Sequence, residues 1–137
     1  MPDSIREQIV EAFAQRIGAS RSDHVSADGK LPVRNVWDLD ESAEKLTMGR
    51  RRMTLVIGVG VMDRAPKGVS SSQKANTMLA ELLADAITQD ATLGDLAEQI
   101  SYTGSLPSYP QPGQDVVALE CSFEIQYQTK HTTPYEK

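Results

Sequence analysis

Between Val116 and Gln128 the chain alternates without a break. Val117, Leu119, Cys121, Phe123, Ile125 and Tyr127 fall on one side of an extended backbone. Val116, Ala118, Glu120, Ser122, Glu124, Gln126 and Gln128 fall on the other. Successive side chains of a strand point to opposite faces, so this run specifies a long strand with one face in a core. The rest of the chain has to supply further strands and a layer to cover that face.

Both are legible. Residues 53–62 read as a second strand, with Met53, Leu55, Ile57, Val59 and Val61 on one face and Thr54, Val56, Gly58, Gly60 and Met62 on the other. Neither face is polar, so both can be covered, and the glycines would let a helix or another subunit come close. Ile5, Ile9, Ala12, Phe13 and Ile17 repeat at helical period behind Ser4 and Glu7, which have capping-box spacing, and Gly18 ends the pattern: a helix over 4–17. Ala75, Met78, Leu79, Leu82, Leu83, Ala86 and Ile87 mark a second helix over 71–88. Thr92 and Asp95 suggest a short capped helix to about residue 99. Shorter strands are expected over 33–37 and 100–103. Asp28-Gly29 signals a turn, the acidic run 38–44 has room for a helical turn, and the Pro-rich stretch 104–114 reads as a loop or tongue. Residues 130–137 read as a flexible polar tail. The expected fold is a single α+β domain over residues 1–137, a mostly antiparallel sheet flanked by two main helices.

At 137 residues a core is possible, but only 39% of the chain is hydrophobic and 5% aromatic, so assembly would help cover apolar surface. The formal charge of −5 argues against the broad basic footprint of a nucleic-acid binder. One cysteine forms no internal disulfide, the first residues lack a signal-peptide pattern, and no apolar run is long enough to span a bilayer. The expectation is a cytosolic chain with no membrane association.

No catalytic constellation stands out, and no enzyme activity, cofactor or metal is expected. Gly58-Val59-Gly60 follows a strand but lacks the third glycine and the adjoining helix of a dinucleotide loop. Cys121 lies between Leu119 and Phe123 on an apolar face and reads as a buried, inert thiol. His24 and His131 are far apart, without metal-ligand spacing. Asp38, Asp40 and Glu41 lack the glycine turn and distal glutamate of a calcium loop. Arg50, Arg51 and Arg52 fit three readings: salt bridges across a subunit interface, contacts to DNA phosphates, or a solvated loop before the strand. They cannot all face one way on a strand. Tyr102 and Tyr109, in and beside the Pro-rich stretch, are candidate anchors for a partner.

The order of segments, with Asp90, Thr92-Leu93-Gly94, Leu96, Ile100, Tyr102-Thr103-Gly104 and the closing Phe123-Glu124-Ile125-Gln126-Tyr127-Gln128-Thr129, resembles the tail terminator (tail completion, minor tail protein U-like) proteins of long-tailed bacteriophages and prophages. The resemblance covers most of the chain through short structural motifs. It implies a ring of copies, commonly a hexamer, in the virion at the head-proximal end of the tail tube. That ring stops tube polymerisation and meets the head–tail connector or stopper protein, while DNA passes through the lumen without specific binding. The family has no catalytic residues to carry over. In that setting the acidic 38–44 and basic 50–52 segments can pair across a subunit interface. A neck stopper or other tail-completion protein shares much of this layout. A small bacterial enzyme or ligand-binding module, using the space between sheet and helices, is the reading from another class.

Overall fold

Helix α1 (Ile5–Ile17) starts after Ser4, whose backbone is extended and whose Oγ accepts the Glu7 amide at 3.1 Å. The reciprocal half of the capping box is replaced. The Glu7 carboxylate turns outward to Arg21, whose two terminal nitrogens reach it at 2.7 and 3.0 Å. At the other end Gly18 takes the left-handed conformation (φ 65°) and its N–H returns to Ala14 and Gln15. The computed structural model describes residues 3–21, 31–88 and 90–137. The expected Asp28-Gly29 turn and His24 lie outside the described residues.

The described residues then run through β1 (Ser20–Arg21), β2 (Val33–Lys45), β3 (Arg50–Arg64), α2 (Ser71–Ile87), β4 (Gln99–Ser108) and β5 (Val116–Lys130). Among them, five strands form one sheet in the order β1-β2-β3-β5-β4. Only β1 is parallel to its neighbour. The fold is α+β. The spine is β3 against β5, paired residue for residue from Arg50–Lys130 to Arg64–Val116.

Three expected boundaries shift, each because pairing decides where a strand ends. The acidic run 38–44 is strand, not a helical turn. It continues β2 along β3 after a bulge between Asp38 and Glu41. The three arginines are the first residues of β3 rather than a preceding turn. Residues 104–108 leave the tongue and join β4, with Gly104 opposite Ser122 and Pro107 opposite Leu119. Pro107 is tolerated because β4 is an edge strand.

The expected helix after Thr92 does not form. Thr92 Oγ1 does accept the Asp95 amide at 3.2 Å, as a cap would. However, Leu93, Gly94 and Asp95 are all left-handed (φ 50°, 69° and 69°), so the chain turns instead of winding on. Asp90 holds that turn: its carboxylate accepts from the Thr92 hydroxyl, the Thr92 amide and the Gly94 amide. These bonds hold the Asp90 carboxyl down at about 2, against an ordinary 3.8.

The odd-numbered residues of β5 from Val117 to Tyr127 are all buried, as the alternation requires, together with Leu55, Ile57, Val59 and Val61 of β3. Both helices lie on this face. Phe13 of α1 meets Phe123 with ring centroids 5.3 Å apart. Arg34 of β2 ties the layer together, donating to the Ile17 carbonyl at 2.9 Å and to Asp85 of α2 at 2.7 Å. Residues 130–137 fold back: the Pro134 carbonyl accepts the Ile5 amide, and Lys130 pairs with Glu136.

Candidate functional site

With both helices on one face, the opposite face of the sheet has no second layer among the described residues. Register assigns to it Asn35, Trp37, Ser42 and Glu44 of β2, and Arg52, Thr54, Val56, Gly58, Gly60 and Met62 of β3. It also takes the even-numbered residues of β5 and, beyond a bulge, Gly104, Leu106 and Ser108 of β4. Gly58 is nonetheless buried, because the indole of its cross-strand partner Trp37 lies flat across it. A Cβ on Gly58 would stand 2.5 Å from the ring. The close approach expected at the strand glycines is therefore made at Gly58 by an aromatic ring from the adjacent strand. Around it opens a shallow hollow of about 580 Å³, rimmed by Trp37, Leu39, Gly104, Leu106 and Glu120. Leu106 is 69% exposed and Leu39, in the β2 bulge, 45%.

The β2–β3 hairpin carries a second exposed apolar group. Met48 and Gly49 at its tip are both left-handed, and the Met48 side chain is 95% exposed. Lys45 and Arg50 flank it.

The charged candidates take separate places. Asp38 accepts from Arg6 Nε and Nη2 at 3.2 and 3.1 Å, and Arg21 stands 3.8 Å away. Glu41 lies 3.3 Å from Arg6 Nη1 and accepts from the Tyr127 hydroxyl at 2.6 Å. Burial first, and this bond second, push the Tyr127 phenol well above its usual range. Asp40 is exposed in the bulge. Arg50 donates to Gln128 at 2.9 Å. Arg52 reaches Glu98 at 3.1 Å and Glu44 at 3.9 Å, and its hydrogen bond holds the Glu98 carboxyl below its ordinary value. Arg51 points to the other side of the sheet, beside Tyr127 and Thr129. The three arginines do diverge as strand geometry demands. Glu44 meets Arg52 within the chain, while Asp38 and Glu41 go to Arg6, which the sequence pattern did not single out. Nothing in the sequence spacing marks Arg6, because its partners are more than thirty residues away and on a different element.

Of the two tyrosines, Tyr109 is 52% exposed in the turn after β4. Tyr102 is half-buried with its ring 5.8 Å from Phe123, so it belongs to the core margin rather than to a free surface. Cys121 is buried, and burial pushes its thiol up to about 11, leaving it protonated at neutral pH. Among the described residues no three His, Cys, Asp or Glu side chains converge as a metal ion would require. Among the described residues no helix is long and apolar enough to cross a membrane.

No family model matches the chain, and no curated protein matches it. Among solved structures it is similar to a chain of the virion of a native gene transfer agent (GTA) particle. The identity is 12%, the match covers 91% of this chain and 92% of that one, and the TM-score is 0.39. A TM-score that low does not establish a common fold, so that particle's nature assigns no role to this chain.

Proposed function

We propose that this chain is the tail terminator of a long-tailed phage or prophage particle. Copies form a ring, commonly a hexamer, on the head-proximal end of the tail tube. The ring ends tube polymerisation and offers its far side to the head–tail connector. The sequence resemblance names the role, and one structural observation gives it a physical means: among the described residues, helices cover only one face of the sheet.

A cyclic ring needs two different patches per subunit, each meeting the other on a neighbour. The uncovered sheet face, with Leu39 and Leu106 around the Trp37–Gly58 contact, is one such patch. The hairpin tip with Met48 is another, on a separate part of the surface. The acidic and basic segments do less of this work than the sequence suggests. Asp38, Glu41, Glu44 and Arg52 are engaged inside the subunit, so the contact draws mainly on apolar and neutral groups. A formal charge of −5 suits a lumen through which DNA slides without sticking.

Deletion of the gene from a particle-producing genome, followed by electron microscopy, tests the role. The expected particles are overlong tails and unjoined heads. Tails of normal length with unjoined heads would make the chain a neck stopper instead. Intact particles would end the virion reading.

A further inference from the structure

Where α1 begins, its first residues stand over the end of the sheet, and the two enclose a pocket of about 260 Å³. Ser4 and Arg6 line it from the helix, Glu41 from β2, Arg51 from β3, and Tyr127 and Thr129 from β5. Arg51 and Thr129 are directly paired across the two strands.

Two polar groups here lack a partner among the described residues. Thr129 is only 3% exposed, and its Oγ1 makes no hydrogen bond; the buried Nε of Arg51 makes none either. Folded proteins rarely leave such groups unpaired. The acidic residue in the pocket is not available to them. One Glu41 oxygen accepts from Tyr127 at 2.6 Å and the other faces Arg6 at 3.3 Å. Arg6 is shared between Glu41 and Asp38, and among the described residues no carboxylate stands within ion-pair distance of Arg51. The N-terminal end of the 13-residue α1 adds positive potential on the same side.

We propose that this pocket binds a small oxyanion, a carboxylate or a phosphate, with one oxygen on Arg51 Nε and a second on Thr129 Oγ1. The chemistry asks for one negative charge and two acceptor oxygens a short distance apart, which both ligands supply. A water molecule can bridge the same two groups but leaves Arg51 uncompensated. The site does not depend on the assembly role.

Thermal unfolding and isothermal titration of the purified chain test this, using inorganic phosphate and acetate separately, with ionic strength held constant by sodium chloride. At least one of the two is expected to raise the midpoint saturably. Thr129→Val and Arg51→Met are each expected to weaken its dissociation constant about tenfold or more. Thr129→Val is nearly isosteric and carries the test alone if Arg51→Met does not fold. Saturation by acetate alone identifies the ligand group as a carboxylate, and saturation by phosphate alone identifies it as a phosphate. If neither anion acts beyond the chloride control, or if Thr129→Val binds as the parent does, the pocket holds water and the proposal fails.

Discussion

Gly58 shows how much one residue can say, and where its information stops. In the sequence it marks a place where something approaches the backbone closely. The approaching group is the Trp37 indole, and that follows only from register: Trp37 sits opposite Gly58 because the β2–β3 ladder runs unbroken from Val33–Met62 to Asp38–Ile57. Gly58→Ala would place a methyl 2.5 Å from the ring, and is expected to lower unfolding free energy by roughly 1–3 kcal/mol. Urea denaturation followed by the fluorescence of Trp37, the single tryptophan, reads this directly. Cys121 was fully legible, since its burial follows from alternation alone. Arg6 was not, because its carboxylate partners come from a strand where the acidic run suggested a helical turn. Asp90 gives the pH-dependent prediction at this scale. Its carboxyl titrates near 2 in the folded chain instead of 3.8. A depressed value stabilises the fold above the unfolded value, and that contribution fades as pH falls from about 4 towards 2. Asp90→Asn should therefore lower the melting temperature at pH 6, and the gap to the parent should shrink towards pH 2.

At the scale of elements, periodicity located both helices and both long strands, and local pattern failed where a partner decides the outcome. The 4–17 and 71–88 helices were expected nearly as they occur, since each has a continuous apolar stripe facing the sheet. The start of α2 holds a further device, a complete capping box. Ser70 Oγ accepts the Gln73 amide at 3.1 Å, and the Gln73 side chain accepts the Ser70 amide at 2.9 Å. Ser70→Ala is expected to cost about 1 kcal/mol, measurable as a lower urea midpoint at unchanged slope. The expected helix at Thr92 had the right cap but no helical backbone after it. Residues 38–45 and 104–108 carry no strong strand alternation, and they are strands because β3 and β5 are long enough to pair with them.

At the scale of the molecule, the sequence supports an α+β sheet with two helices, and the structure adds that one sheet face carries no layer among the described residues. That asymmetry was not legible because the near-apolar second face of β3 suggested cover on both sides. The cover is partial: Trp37 over Gly58, with Leu39 and Leu106 standing exposed around it. The proposed terminating ring is built through this face. The most direct measurement is the tail-length distribution, by electron microscopy, of particles whose only copy of the chain carries Leu106→Asp. Leu106 is 69% exposed, so the substitution should leave the isolated chain within about 0.5 kcal/mol of the parent. Overlong tails and unjoined heads are expected despite a folded subunit. Tails of parental length on joined heads would contradict a ring built through this face.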